Sequence, residues 1–263
     1  MSSDQINSVV LLGAGNVATH LGKAFRNAGF RVLQVYSRSR KSASLLAASL
    51  GCTYTTRPEG IIDGAGLYVI AVTDDAIREV AAVFPHKGKF VVHTSGTTGM
   101  QDLNPAGDRL GVFYPLQTFS RDVEIDFSRV PLCLETARNA DREPLALVAS
   151  RLSDKYEWIS GPQRRVLHIS AVFACNFVNH MYAIAADLLE SKGMGFDLLK
   201  PLIGETTRKA CKGDPADMQT GPAIRGNRMI MDRHIDMLSD NTVYQKIYKD
   251  ISDSIQKMHN DKK

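Results

Sequence analysis

The most constraining feature of this sequence is an apolar run that ends in two closely spaced glycines. Val9–Leu12 is uniformly apolar, and Gly13–Ala18 fits the pattern G-x-G-x-x-A. In this pattern Gly13 permits a tight turn out of a strand, Gly15 lets the backbone approach a phosphate, and the small Ala18 lets a helix pack closely on the strand. The free N–H groups at the start of that helix attract anions. The segment therefore predicts a strand–turn–helix unit that binds the pyrophosphate of a dinucleotide.

Strand-like and helix-like segments alternate through the first part of the chain. Such alternation produces right-handed β–α–β units and a parallel sheet. We therefore predict an α/β fold, a doubly wound and mostly parallel Rossmann-type sheet, over residues 1–160. The predicted strands are Ser8–Leu12, Arg31–Tyr36, Leu67–Val72, Phe90–His93, Leu110–Phe113, Leu132–Glu135 and Tyr156–Ile159, and the first two helices are Asn16–Asn27 and Lys41–Leu50.

The pattern changes after Gly161-Pro162. Residues 163–191 contain no Gly or Pro, and their apolar residues recur with helical spacing. This indicates one helix of about 29 residues, on the order of 43 Å long. Further helices are predicted at 196–212 and 243–258. The sequence therefore predicts a second, all-helical C-terminal domain over residues 161–263.

Composition and charge exclude several classes of protein. A hydrophobic content of 44% excludes disorder for most of the chain. The net charge of +4 is small and forms no long basic stripe, so no nucleic-acid partner is expected. The four cysteines are far apart in sequence, which predicts reduced, mostly buried thiols and no metal site.

The first residues show no targeting segment. Residues 1–8 are short and polar and carry no basic region or cleavage site. The longest uninterrupted apolar runs are shorter than the roughly 20 residues that cross a bilayer. We therefore predict a cytoplasmic protein that has no membrane partner.

The residues after the second predicted strand indicate which dinucleotide is bound. An NAD site typically places Asp or Glu there, about 20 residues after the glycine pattern, to bind the ribose hydroxyls. This chain instead has Ser37, Arg38 and Ser39, whose hydroxyls and guanidinium suit a 2′-phosphate. NADP is therefore favoured over NAD. The predicted cofactor-binding residues are Gly13, Gly15, Asn16, Val17, Ser37, Arg38, Ser39, Val72 and Thr73.

A polar loop that starts at His93 follows the strand at 90–93, and it is expected beside the nicotinamide. His93 is a candidate proton donor near neutral pH, although a lone histidine at a strand end is often structural. Ser95 is predicted to bind cofactor or substrate, because no base and orienting partner for a nucleophile stand near it in sequence.

Further candidate residues lie later in the chain. At 100° per residue, His168 and Asn176 fall within about 80° of each other on one helix face. They either line a cleft between the domains or bond to neighbouring helices. Arg225, in a loop with Gly and Pro, could bind a carboxylate or phosphate, or could simply be solvated. Tyr114 and Gln117 lie in a second unusual segment at 110–119.

Taken together, these motifs resemble a bacterial family of Rossmann-like proteins with a C-terminal helical domain of unassigned function, often labelled NADP oxidoreductases. One departure is Tyr114, where the family usually has His, so a proton role at that position is in doubt. The motifs that carry the resemblance are Gly13–Ala18, Val72–Ile77, His93–Gly96, Pro115–Phe119, Gly161–Gln163 with His168, Asn176-Phe177, and Thr220–Pro222 with Arg225-Gly226 and His234.

The arrangement is more distantly similar to pyrroline-5-carboxylate reductase, to deazaflavin-dependent NADP oxidoreductases and to 3-hydroxyacid dehydrogenases. In those relatives the substrate lies between the two domains, and the helical domain commonly forms a dimer. The resemblance implies a homodimer and a common cleft faced by His93, Ser95, His168, Asn176 and Arg225. The first long helix has no Lys before Lys192, so the hydroxyacid dehydrogenase mechanism is in doubt.

The leading hypothesis is an enzyme that transfers hydride between NADP(H) and a small C=O or C=N substrate. Its catalytic candidates are His93, His168 and Asn176, and its substrate-binding candidates are Ser95, Tyr114, Gln117 and Arg225. Two alternatives stay open. One is an imine reductase similar to pyrroline-5-carboxylate reductase, and the other is a nucleotide-binding sensor or scaffold without turnover.

Overall fold

The computed structural model describes residues 6–260 and contains one eight-stranded sheet. Its strands are β1 Ser8–Leu12, β2 Arg31–Tyr36, β3 Thr53–Thr55, β4 Leu67–Ile70, β5 Val91–His93, β6 Leu110–Pro115, β7 Leu132–Thr136 and β8 Tyr156–Trp158. The spatial order is β3-β2-β1-β4-β5-β6-β7-β8, and only β6 and β7 pair antiparallel within it. The predicted mostly parallel sheet is confirmed.

The helices of the first part of the chain cover both faces of this sheet. Four helices, α1 Asn16–Asn27, α2 Arg40–Leu50, α3 Ile77–Ala82 and α4 Arg142–Leu152, connect or follow the strands. One apolar cluster contains Leu21, Leu46 and Leu145 from α1, α2 and α4, and a second contains Ile77 from α3. β1 lies between these layers, and Val9–Leu12 are fully buried. This explains why β1 is uniformly apolar rather than alternating.

The sequence predicts the central elements better than the short or polar ones. β1, β2 and α1 begin and end where the pattern places them. The predictions did not include β3, because it is a three-residue edge strand of threonines and a tyrosine with no apolar run. Asp74 and Asp75 are also consistent with the start of a helix, but the sequence pattern indicates no bounds for α3, which has only six residues and therefore shows little periodicity.

A continuous helix runs from Gly161 to Glu190. It consists of α5 Gly161–Ala171, a π-helical segment Val172–Phe177 and α6 Val178–Glu190. Ser160 caps its start, since its hydroxyl accepts the Gln163 N–H while the Gln163 side chain accepts the Ser160 N–H. The long helix predicted at 163–191 is therefore present, and Gly161 and Pro162 form its first turn.

The chain divides into two compact units within this helix, after Cys175. The predicted boundary at residue 161 coincides with the start of α5, but the contacts of α5 assign it to the first unit. Arg164 donates to the Thr98 carbonyl at 2.7 Å, and His168 lies 3.2 Å from the Tyr114 hydroxyl. These contacts join α5 to residues far away in the sequence, so no composition change marks them.

The second unit is helical. It contains α6 and, further on, α7 Lys200–Ala210, α8 Arg228–Met237 and α9 Thr242–Asn260. Within residues 176–260, only Ala223 and Ser252 are buried, while large apolar side chains such as Leu198, Leu202 and Met229 are more than 60% exposed. The helices of this unit thus leave many large apolar side chains exposed.

The helix Gly161–Glu190 is long and apolar enough, by length and composition alone, to cross a membrane, and the predicted absence of a membrane partner stays a prediction.

One expectation from the sequence needs correction, because the thiols are less buried than predicted. Cys133 is buried and Cys52 half-buried, but Cys175, in the π-helical segment, and Cys211, at the C-terminal cap of α7, are exposed.

Candidate functional site

The turn between β1 and α1 requires glycine at its first position. Gly13 has a φ of +134°, and its N–H donates to the Tyr36 carbonyl at 2.8 Å. A Cβ atom there would lie 2.0 Å from the Ala71 carbonyl oxygen. The backbone at the end of β1 therefore passes so close to the end of β4 that no side chain fits between them.

Gly15 serves a different purpose from Gly13. Its φ is −85°, an ordinary value, and a Cβ atom there would meet nothing within 4 Å. Gly15 is the N-cap of α1, so the space in front of it faces the free N–H groups of the first helical turn. Open space at a helix N-terminus is what an anionic phosphate group needs.

A cavity of about 530 Å³ surrounds this turn, a volume within the range of ligand-binding clefts. Its wall brings together all nine residues that the sequence predicted for the cofactor, although their contact with a dinucleotide stays a prediction. They are Gly13, Gly15, Asn16, Val17, Ser37, Arg38, Ser39, Val72 and Thr73. Ser42 and Arg121 also line the cavity and were not predicted.

The end of β2 presents hydroxyls and one guanidinium to the cavity. Ser37 accepts the Ser39 N–H at 3.3 Å, and Ser39 caps α2 by accepting the Ser42 N–H at 3.3 Å. Arg38 is exposed and lies 3.6 Å from the equally exposed carboxylate of Glu79. Among the described residues that line the cavity there is no Asp or Glu. The electrostatics of this end of the cavity therefore suit an anionic group.

Arg121 is a cationic residue of the cavity wall that the sequence did not predict. Its guanidinium donates to the Ala14 carbonyl at 2.9 Å, inside the glycine turn. The two residues are 107 positions apart in the sequence. An arginine in a polar loop gives no local signal of such a contact, so sequence patterns could not have identified it.

His93 ends β5 and is fully buried. Its Nδ1 accepts the Ser95 N–H at 3.1 Å, which leaves the ring proton on Nε2. Burial, with the nearby Arg164 charge, lowers the pKa of His93 to about 3, so the ring is neutral near pH 7. His93 is therefore suited to donate a hydrogen bond through Nε2, which has no partner among residues 6–260, rather than to exchange protons at neutral pH. A catalytic role for it stays a prediction.

The loop after His93 is held by its own side chains and by α5. The Ser95 hydroxyl accepts the N–H groups of Thr97 at 3.1 Å and Thr98 at 2.9 Å. The fully buried Arg164 binds the Thr98 carbonyl and forms a close ion pair with Glu135 on β7. Thr97 also donates to Asp74, at the end of β4. This loop therefore lies along the same edge of the sheet as the cavity.

Tyr114 and His168 meet beside this loop. The Tyr114 hydroxyl lies 3.2 Å from His168 Nδ1, and a Cβ atom on Gly96 would lie 2.8 Å from the tyrosine ring and 2.5 Å from that nitrogen. Burial raises the pKa of Tyr114 to about 12, so the phenol keeps its proton. Either Nδ1–H or the phenol can be the donor of this hydrogen bond, and in both cases the contact holds the His168 ring in a defined orientation.

The remaining predicted residues lie elsewhere. Gln117 is exposed, and its side chain accepts the Thr118 N–H at 2.8 Å. Asn176 and Arg225 are exposed residues of the second unit. Asn176 also lies in the π-helical segment, where the regular rotation of 100° per residue does not hold. The shared face of His168 and Asn176, and the substrate-binding roles of Gln117 and Arg225, stay predictions.

Several reductases of known structure share this fold. An imine reductase from Myxococcus stipitatus in complex with NADP+ shares it with a TM-score of 0.62 at 15% identity, over 97% of this chain and 93% of that chain. A 1-pyrroline-5-carboxylate reductase from Streptococcus pyogenes shares it with a TM-score of 0.63 at 13% identity, over 97% of this chain and 100% of that chain.

A protein from Bacteroides fragilis to which NADP oxidoreductase activity is ascribed is much more similar. It is 40% identical, with a TM-score of 0.89, over 97% of this chain and all of that chain. A Rossmann-like domain model matches residues 3–117, and the model of a domain of unknown function (DUF2520) matches residues 130–255. No curated protein matches the chain. The chain therefore belongs to the family of this Bacteroides protein, as the sequence motifs predicted.

Proposed function

We propose that this protein is an NADP-dependent oxidoreductase that transfers hydride between NADP(H) and a small C=O or C=N substrate. The observation that carries the proposal is the cavity at the glycine turn, which joins a helix N-terminus to Ser37, Arg38 and Ser39 and is lined by no carboxylate among the described residues. The Bacteroides relative, to which NADP oxidoreductase activity is ascribed, supports the same cofactor.

The residues of the cavity fit this cofactor. The open space at Gly15 suits the pyrophosphate, and Arg38 with the neighbouring hydroxyls suits the 2′-phosphate. Val72 and Thr73 stand at the end of β4, where ligands bind in open α/β sheets. When bound, NADPH supplies the hydride, while the protein supplies alignment and a proton.

We further propose that His168 in its imidazolium form supplies this proton from Nε2 and is left as the neutral ring. Its Nδ1–H would donate to the Tyr114 oxygen before and after the transfer, which orients the ring, and the close approach of Gly96 restricts the position of both rings. His93, neutral at physiological pH, would add a hydrogen bond from its unpartnered Nε2 to a substrate or to a water molecule. In this proposal Tyr114 is a positioning residue, because its own proton is held too tightly to be transferred near neutral pH.

Calorimetric titration with NADPH and NADH tests the cofactor assignment. We expect tighter binding of NADPH, and we expect Arg38→Gln to weaken NADPH binding by at least about tenfold, the value of one charged hydrogen bond, without affecting NADH. Arg40→Gln is the matched control, because Arg40 begins α2 but does not line the cavity. Equal affinity for both nucleotides would remove the NADP assignment, and binding of neither would remove the oxidoreductase function.

Turnover separates the remaining candidates. Oxidation of NADPH in the presence of small ketones and cyclic imines would distinguish a carbonyl reductase from an imine reductase. A sensor or scaffold without turnover is the second candidate function, since neither the neutral His93 nor the tightly protonated Tyr114 is suited to supply a proton near neutral pH. Tight NADPH binding without oxidation by any substrate of the panel would favour the sensor.

We also propose that two copies of the chain associate through the helical unit. The support is the exposure of apolar side chains on α7, α8 and α9, including Leu202, Met229 and Ile251, within a unit that buries almost none of its described residues. Exposed apolar surface of this extent is typical of protein–protein contacts rather than of monomers.

A further inference from the structure

The segment between β6 and β7 crosses to the start of α1 and binds it. Asn16 donates to the Phe119 carbonyl at 3.0 Å, and His20 Nε2 donates to the Ser120 carbonyl at 3.0 Å. The Phe119 ring also stacks on the His20 ring, with centroids 5.1 Å apart. These contacts fix the backbone just before Arg121 beside the first turn of the helix.

Arg121 extends from this anchored backbone over the glycine turn. One N–H of its guanidinium donates to the Ala14 carbonyl at 2.9 Å, between the two glycines of the turn. Within residues 6–260, no carboxylate forms an ion pair with Arg121, whereas Arg38 lies near Glu79. Its charge and remaining N–H donors are therefore available to a ligand.

Two arginines, Arg38 and Arg121, line the cavity, and they stand where different parts of a dinucleotide would bind. Arg38 stands at the end of β2, which is where the adenosine ribose of a dinucleotide lies in this class of fold. Arg121 stands at the glycine turn, which is where the pyrophosphate lies. A guanidinium binds phosphate oxygens in a bidentate manner, which helix N–H groups alone do not provide.

We propose that Arg121 binds the pyrophosphate of the dinucleotide, while Arg38 recognises the 2′-phosphate. This inference rests on the proposed function and adds a cofactor ligand outside the glycine motif. It predicts that the two arginines differ in ligand selectivity. Arg121 contributes to the binding of every dinucleotide, whereas Arg38 contributes only to ligands that carry a 2′-phosphate.

Titration of Arg121→Gln with four ligands tests the proposal. NADPH, NADH and ADP-ribose carry the pyrophosphate, and 2′-AMP lacks it. We expect Arg121→Gln to bind the first three at least about tenfold more weakly than the wild type and to bind 2′-AMP within about twofold. We expect the reverse selectivity for Arg38→Gln, with loss of NADPH and 2′-AMP binding and unchanged NADH and ADP-ribose binding.

Two control variants separate ligand contact from placement of the segment. His20→Phe keeps the ring stacking on Phe119 but removes the bond to Ser120, and Arg129→Gln removes an exposed charge from the same segment. Arg129→Gln should bind NADPH like the wild type, and His20→Phe should lose less affinity than Arg121→Gln, because the stacking on Phe119 still holds the segment. Equal losses in Arg129→Gln and Arg121→Gln would overturn the proposal, because the general charge of the segment would then be responsible.

The outcomes also separate this inference from the proposed function. If the wild type binds NADPH and ADP-ribose and Arg121→Gln binds both equally well, the inference is wrong and the proposed function stands. If the wild type binds no dinucleotide, both fail. Thermal unfolding of each variant identifies any loss of folded protein. Arg121→Lys keeps the charge but not the bidentate geometry, so its loss of NADPH affinity should be smaller than that of Arg121→Gln.

Discussion

At the scale of single residues, the two glycines of the turn have separable purposes. Gly13 is required by the fold, since its φ of +134° and the neighbouring Ala71 carbonyl leave no room for a side chain. Gly15 has an ordinary φ and open space around it, so the fold alone does not require glycine there. The sequence pattern identifies both positions but does not distinguish these two reasons.

We expect Gly13→Ala to lower the free energy of unfolding by at least about 2 kcal/mol, from backbone strain and steric overlap together. Gly15→Ala should change it by less than about 0.5 kcal/mol, as open surface sites do, but should weaken NADPH binding. Urea unfolding and calorimetry on the two variants check both statements. Similar unfolding midpoints for the two variants would contradict the close approach of β1 and β4.

At the scale of elements, the buried Arg164 connects three pieces of structure. It lies on α5 and binds Glu135 on β7 and the Thr98 carbonyl in the loop after β5. Arg164 therefore holds the loop after β5, which contains the candidate substrate-binding residue Ser95, against the sheet. Buried charges of this kind stabilise a particular arrangement only while both partners are present, because an unpaired charge away from water is costly.

We expect Arg164→Met to lower the free energy of unfolding by about 3 kcal/mol, since Glu135 and Thr98 lose their partner. The double variant Arg164→Met/Glu135→Met should recover at least about 1 kcal/mol, because the unpaired carboxylate is then removed. The adjacent Arg165, which is exposed, provides the control variant Arg165→Met. Equal unfolding free energies for Arg164→Met and Arg165→Met would show that the buried ion pair contributes nothing.

At the scale of the whole molecule, the two units differ in how they bury apolar surface. The first unit contains a sheet with apolar layers on both faces. The helical unit leaves Leu198, Leu202 and Met229 more than 60% exposed. A unit of this kind gains stability when another surface covers it, because burial of apolar area is the main favourable contribution to association.

We expect the protein to elute with twice the mass of one chain in size-exclusion chromatography with light scattering. Leu202→Glu, on α7, should shift it toward the monomer, because a buried carboxylate at the contact is costly. Leu147→Glu, at an exposed position of α4 in the first unit, should leave the dimer intact. A monomeric wild type would contradict the dimer, and co-sedimentation with lipid vesicles would assign the apolar surface to a membrane instead.

Much of the candidate site could be predicted from the sequence. The parallel sheet, the glycine turn and the nine cavity residues follow from local patterns, because a parallel sheet brings the carboxyl ends of its strands to one edge. The spacing of apolar residues also indicates the long helix, although not the π-helical segment that interrupts its rotation. These features depend on residues that are close together in the chain.

The tertiary structure alone decided the contacts between distant residues. Arg121 meets Ala14 across 107 positions, and Tyr114 meets His168 across 54. No local period encodes such pairs, since each depends on how a loop or helix lies across a completed sheet. Burial likewise lowers the pKa of His93 to about 3, a change that the sequence pattern does not reveal. The sequence by itself therefore determined the architecture and the position of the candidate cofactor cavity, whereas the neutral state of His93 and the contacts between distant residues arose from the packing of elements that are far apart in sequence.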